Sequence, residues 1–233
     1  MQIVITGATK GIGRAIADFF AEQSFDVAVC ARTQSDLVAM QEDYAQRFPK
    51  VRLITATADF TKPAEVRDFG TLVLEQCGPI DILVNNAGIF LPGTIQEEEE
   101  GALAKMMQVN LYSAYDLTRQ LLPSMVNAGR GHIFNICSVA SLGPYTPGSS
   151  YSISKFALMG FSQNLRNELK DKGIRVTAIS PGPTWSASWD GVDLPKERLS
   201  QARDVAISLW GAWSTSPSTV VEDIVLRPQL GDL

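Results

Sequence analysis

The chain of 233 residues is 45% hydrophobic and 19% charged, with a formal net charge of −5; that balance supports a sizeable core and excludes a disordered chain. The acidic balance, without a cluster of Lys and Arg, argues against nucleic-acid binding, and no apolar run approaches the ~18–20 residues of a membrane span. One histidine, His132, and three scattered cysteines, Cys30, Cys77 and Cys137, leave a zinc site without its usual ligands, and the odd cysteine count suits a reducing compartment.

Short apolar runs alternate with amphipathic stretches along the whole chain. Residues 2–6 form an apolar run ending at Gly7, which predicts a buried strand. Ile12, Ile16, Phe19 and Phe20 follow at helical spacing, with Arg14, Asp18 and Glu22 on the other face. Residues 27–31 and 51–58 read as the second and third strands, and a helix is expected from Pro63, at home in a first turn, to Gln76. Residues 80–85 make a fourth strand, 98–125 a helix, 132–137 a fifth strand, 152–170 a helix and 174–179 a sixth strand. The last strand is stopped by Ser180-Pro181-Gly182-Pro183. Near-continuous Val/Ile/Leu strands belong to a parallel sheet covered on both faces. The expected architecture is one doubly wound α/β domain over residues 1–233 with no internal boundary.

Thr6-Gly7-Ala8-Thr9-Lys10-Gly11-Ile12-Gly13 joins the first strand to the first helix. Missing side chains let the backbone turn sharply and approach a pyrophosphate at a helix N-terminus. The spacing is Gly-x-x-x-Gly-x-Gly, unlike the common Gly-x-Gly-x-x-Gly fingerprint, and a ligand-free tight connection would use the same residues. The end of the second strand then distinguishes cofactors. An NAD site places an acid ~20 residues after the glycines, whereas here Ala31 is followed by Arg32 and Thr33, with Lys10 as a second cation in the glycine turn. A guanidinium can grip a 2′-phosphate bidentately, so NADP(H) is preferred over NAD(H) unless both cations are ordinary surface charges. Asp59, closing the third strand, is placed either to accept a bond from the adenine amino group or to cap the next segment.

Asn85-Asn86-Ala87-Gly88 follows the fourth strand at its carboxyl end, where open α/β sheets bind ligands. Asn110 sits within a helix it does not favour. Ser138 ends the fifth strand, and Tyr151 and Lys155 stand at i and i+4 on one helical face. A free tyrosine titrates near ~10; a lysine ammonium and an oxidised nicotinamide both favour the phenolate. Tyr151 could then give a proton to a carbonyl oxygen as hydride reaches its carbon, with Ser138 donating to the same oxygen.

On these residues, together with Pro181-Gly182, the chain resembles the short-chain dehydrogenase/reductase family in its short single-domain branch, along essentially its whole length. The resemblance implies a Rossmann-type fold, with a cofactor half of about residues 1–110 and a catalytic and substrate half of about 111–233. It implies Tyr151 as acid/base, Ser138 as carbonyl orienter and Lys155 as phenol activator and ribose ligand. Asn110 would hold a water that links Lys155 to solvent. Gly7, Thr9, Gly11, Ile12, Gly13, Asn86, Ala87, Gly88, Pro181 and Gly182 would surround the cofactor. After Pro181-Gly182 the family commonly has a Val and a Thr against the nicotinamide carboxamide; Thr184 and Ser186 stand there instead.

The ending Thr219-Val220-Val221-Glu222-Asp223-Ile224-Val225-Leu226-Arg227-Pro228, with Thr33-Gln34-Ser35-Asp36-Leu37, looks like bacterial sepiapterin-reductase-type and related carbonyl-reducing members. The expected activity is therefore NADPH-dependent reduction of a ketone or aldehyde. A 3-oxoacyl-carrier-protein reductase, a small hydroxy-acid dehydrogenase and a non-catalytic NADP-binding sensor stand as alternatives. Trp185, Trp189 and Tyr145 are candidate substrate-lining residues, and Trp210 and Trp213 are equally at home in the core or at an interface. Glu97–Glu100 reads as a solvated helix start, His132 as structural, and Cys137 as pointing into the core. A small-molecule carbonyl substrate, a cytoplasmic location and a homodimer or homotetramer paired through the helices of Asn110 and Tyr151 complete the expectation.

Overall fold

Strand alternation places successive apolar residues on opposite faces of one sheet, and each face is then covered by its own helices. The computed structural model describes residues 1–185, 195 and 198–232. Its strands are β1 (Gln2–Thr6), β2 (Asp26–Ala31), β3 (Leu53–Thr57), β4 (Ile82–Asn85), β5 (Gly131–Ile136), β6 (Ile174–Pro181) and β7 (Asp223–Leu226). They pair in the order β3-β2-β1-β4-β5-β6-β7, every pair parallel. The helices are α1 (Gly11–Glu22), α2 (Gln34–Arg47), α3 (Pro63–Gln76), α4 (Ala102–Met107), α5 (Ser113–Ala128), α6 (Ser149–Leu169) and α7 (Ala202–Trp213). Ile3, Ile5, Val27, Val29, Ile82 and Val84 face a core with α1, α2 and α7. Val4, Ala28, Leu83 and Ile133, the alternate positions, face α3, α5 and α6. The doubly wound α/β architecture expected from the sequence is thus the one observed. No helix among the described residues is long and apolar enough to cross a membrane.

Several elements differ from the sequence reading, and α7 and β7 lie beyond it. α2 carries only Leu37, Met40 and Tyr44 into the core, a stripe too narrow to stand out in a polar segment. The helix expected over 98–125 begins at Ala102 instead, because Thr94–Gly101 is spent on turns and Gly101 takes a left-handed φ of 85°. It then runs on as α4, a π-helical turn at Gln108–Tyr112 and α5. The sixth strand extends past residue 179 to Pro181, since β7 lies alongside and pairs Ser180 with Val225.

The tryptophans of α7 are partly buried and pack against the core. Trp210 packs edge-on against Phe20 and Phe25, and Trp213 against Phe25, with the Arg175 guanidinium over its ring. His132 is fully buried on β5 and stacks on Phe134. Thr177 donates its hydroxyl to the Val221 carbonyl at 2.5 Å, so its oxygen accepts from His132 Nε2 at 2.7 Å. That arrangement selects the neutral ring protonated on Nε2. Burial, aided by Arg175, pushes the imidazole pKa down to about 2.

A pH dependence of stability follows. The unfolded chain takes up a proton at His132 below its ordinary value near ~6.5, while the folded chain refuses it until about pH 2. The stability His132 contributes is therefore present above ~6.5 and lost as pH falls, at up to about 1.4 kcal/mol per pH unit. Urea midpoints between pH 7.5 and 5 should fall more steeply for the native chain than for His132→Phe; equal slopes would refute the assignment.

Candidate active site

In an open parallel sheet the crevice forms where strand order reverses, which here is between β1 and β4. Two adjoining cavities of about 470 and 480 Å³ open at the carboxyl ends of the strands and share Ile12, Asn86, Gly88, Ile89 and Thr184.

The first cavity is built on the glycine turn. Gly7 and Gly11 adopt φ of 66° and 56°, the left-handed region that glycine alone enters freely. A Cβ on Gly13 would stand 2.4 Å from Asn86 Nδ2 and 2.5 Å from the Gly7 oxygen. The turn is closed by Asn86, whose Nδ2 donates to the carbonyls of Thr6 at 2.8 Å and Gly7 at 2.9 Å. Helix α1 then begins with Lys10 at its N-cap, no side-chain cap and no acid in its first turn. Its free N–H groups make a cradle for an anion. Thr9, Lys10, Gly11, Ala87 and Thr184 line the same cavity.

Ala31, Arg32 and Thr33 bring the end of β2 into this cavity. Lys10 Nζ is already paired with Asp36 Oδ2 at 2.8 Å, a partner at the start of α2 that sequence reasoning passed over. Asp59 performs the capping role, its Oδ1 accepting from the Thr61 N–H at 3.0 Å and hydroxyl at 2.8 Å. Those bonds hold its carboxyl below the ordinary range, and it still lines the cavity. Lys105 and Val109 complete the lining on the α4 side.

The second cavity holds Ser138, Tyr145, Tyr151, Lys155, Pro181 and Gly182. Ser138 Oγ accepts the Ala140 N–H at 3.1 Å, which leaves its hydrogen for another acceptor. Lys155 is only 4% exposed; its Nζ donates to the Ile136 carbonyl at 2.8 Å and lies 5.7 Å from the Tyr151 ring centre. Asn110 is buried behind this site within the π-helical turn. Its Oδ1 accepts the Ile89 N–H at 2.7 Å, and its Nδ2 donates to the Ile89 carbonyl at 3.0 Å and Ser154 Oγ at 2.9 Å. That answers why an asparagine sits there. Burial pushes the Cys137 thiol up to about 11, so it stays protonated in its apolar cluster.

Other expectations shift. The backbone N–H of Trp185 donates to the Ser200 carbonyl at 2.8 Å, and Trp185 is not among the described residues lining either cavity. Ser186 and Trp189 lie outside the described residues. Glu98 does not start its own helix: its carboxylate accepts the Ser150 N–H at 2.9 Å and the Ser150 hydroxyl, at the N-terminus of α6. The acid-to-dipole complement is real, but it serves the helix of Tyr151. Phe90 was not foreseen; it packs edge-on against Tyr151 with ring centres 5.1 Å apart. The signal was an aromatic two residues beyond Gly88, in a loop already assigned to the site.

The short chain dehydrogenase family model matches residues 1–194. A sepiapterin reductase of Chlorobaculum tepidum is 35% identical, covering 99% of this chain and 97% of its own. Among solved structures, an alcohol dehydrogenase from the archaeon Thermococcus sibiricus, complexed with 5-hydroxy-NADP, superposes with a TM-score of 0.90 at 26% identity, over 100% of this chain and 98% of that one. The L-sorbose reductase of Gluconobacter frateurii, complexed with NADPH and L-sorbose, gives 0.89 at 27% identity, over 97% and 94%. Sequence, fold and the two adjoining cavities agree: the chain belongs to the short-chain dehydrogenase family of oxidoreductases.

Proposed function

We propose that the protein is an NADP(H)-dependent oxidoreductase that interconverts a small-molecule carbonyl compound and its alcohol, with Tyr151 as acid/base. The observation that carries this reading is one cavity containing Ser138, Tyr151 and a buried Lys155, opening beside an uncapped helix N-terminus. The cofactor fits that pair of cavities: the N–H groups at the start of α1 suit its pyrophosphate, and Arg32 with Lys10 suits a 2′-phosphate. Bound NADPH supplies the hydride. Ser138 orients the carbonyl oxygen through the hydrogen that its bond from Ala140 leaves free. Tyr151 delivers the proton to that oxygen, and the Lys155 charge stabilises the oxyanion left behind. Lys155 would also hold the nicotinamide ribose. Asn110 uses both carboxamide hydrogens on Ile89 and Ser154 and keeps an Oδ1 lone pair for a water that returns the proton.

Within this class, a pterin-type or general carbonyl substrate has the support of the Chlorobaculum tepidum relative. The assembly reading rests on an apolar strip. Tyr112, Tyr115, Ile153 and Phe156 are exposed on α5, its preceding π-helical turn and α6, and the two helices adjoin through Tyr115 and Phe161. A second copy of the chain covers this strip, giving a homodimer or homotetramer.

Three measurements test these statements. Tyr151→Phe should bind NADPH nearly as the native chain does while kcat falls about 10²- to 10⁴-fold; retained turnover sinks the mechanism. The assay follows NADPH oxidation with sepiapterin, a diketone, an acetoacetyl thioester and an aromatic aldehyde, each repeated with NADH. Arg32→Asp should weaken NADPH by about tenfold or more and improve NADH relative to it; an unchanged ratio refutes the 2′-phosphate site. Light scattering should give the mass of two or four chains, falling to one in Phe156→Glu if the strip is the interface.

A further inference from the structure

Phe90 is 47% exposed, yet its ring is held in place. It meets Tyr151 at 5.1 Å and Tyr145 at 6.2 Å, while Tyr145 and Tyr151 meet at 6.3 Å, so the three rings form a mutually edge-on triangle. Gly148 leaves the space these rings occupy: a Cβ there would lie 2.9 Å from Phe90 and 3.0 Å from Tyr145. The segment carrying Phe90 is stapled on both sides. Ile89 is gripped by Asn110 through its N–H and carbonyl, the Gly93 carbonyl accepts from the Ser149 N–H at 3.4 Å, and Glu98 holds Ser150. A half-exposed phenyl in a segment held at three points, its ring in an edge-on pair with Tyr151, is a binding surface already organised before any ligand arrives.

We infer that Phe90 is the platform on which the substrate lays a flat aromatic or conjugated ring, with its carbonyl reaching Tyr151 and Ser138. The inference rests on the reaction proposed above and adds the substrate class and the residue that selects it. Its described surroundings suit a neutral ligand. Val139, Tyr145 and Pro183 continue the apolar wall, and Lys155, sunk against the Ile136 carbonyl, is the one charged side chain among the described residues lining the cavity. Among the described residues of this cavity a hydroxy acid would find no second cation for its carboxylate. Aromatic ring pairs favour offset or edge geometry and add to simple burial, and Phe90 offers both a face and an edge.

The test compares 1-phenyl-1,2-propanedione with 2,3-pentanedione, using NADPH and the full chain. The native protein should favour the aryl diketone in kcat/KM by about tenfold. Phe90→Leu should lower the aryl value about 5- to 10-fold, mainly through KM, change the aliphatic value less than about threefold, and leave the NADPH KM unaltered; Phe90→Tyr should restore it. Equal loss on both diketones would mean that Phe90 merely props Tyr151, and no loss would mean that it touches nothing that matters; either overturns the platform. If the native protein turns over neither diketone, calorimetry of its NADP⁺ complex with 1-phenyl-1,2-propanediol and 2,3-pentanediol separates the two readings. An aryl preference abolished by Phe90→Leu keeps the platform while the reaction fails, and absence of preference overturns the platform itself.

Discussion

Everything at the site depends on a clasp between two neighbouring strands that are far apart in sequence. Thr6, at the end of β1, receives the N–H groups of Asn86 and Ala87 on its hydroxyl at 3.0 and 2.9 Å. Asn86 returns two bonds through its carboxamide to the carbonyls of Thr6 and Gly7. Four hydrogen bonds, partly buried and therefore costly to leave unmade, fix the glycine turn against the loop after β4. Because strand order reverses at this seam, the clasp also sets the two cavities side by side. Gly13 is bound by the same constraint, since the carboxamide occupies the place of its Cβ. The glycines thus answer as much to the protein's own packing as to any ligand.

A second set of constraints gathers on the first turn of α6. Glu98, Gly93 and Ala140 all attach to residues 149–152, through Ser150, Ser149 and Ser152. Tyr151 lies in the middle of these attachments, so its place on the helix is set by contacts from two loops, one after β4 and one after β5. The negative charge at that helix start comes from an acid about fifty residues earlier in the chain, which shows that helix-dipole complementarity need not be local in sequence.

The fold was legible because parallel strands buried on both faces leave unbroken apolar runs, and all six strands expected from those runs are present. Part of what escaped carries little apolar signal. Helix α2 buries three side chains, and β7 alternates exposed and half-buried residues at the sheet edge. At the site, the residues that stand out by type and spacing, Ser138, Tyr151 and Lys155, do converge on one cavity. Asp36, Glu98 and Phe90 were invisible for a common reason: each acquires its meaning from a partner distant in sequence or from a loop conformation. Trp185 was the opposite case, conspicuous by type but not among the described residues lining either cavity.

The pairing of Lys10 with Asp36 has a kinetic consequence. Lys10, Arg32 and Lys105 share the first cavity with the carboxylates of Asp36 and Asp59, in a chain whose overall charge is negative. The field that an approaching polyanion meets is therefore weak beyond a Debye length, and electrostatic steering contributes little to its rate of arrival. On the proposed reading, Lys10 exchanges its carboxylate for the ligand only after contact, so discrimination between anions is expressed in residence time rather than in capture.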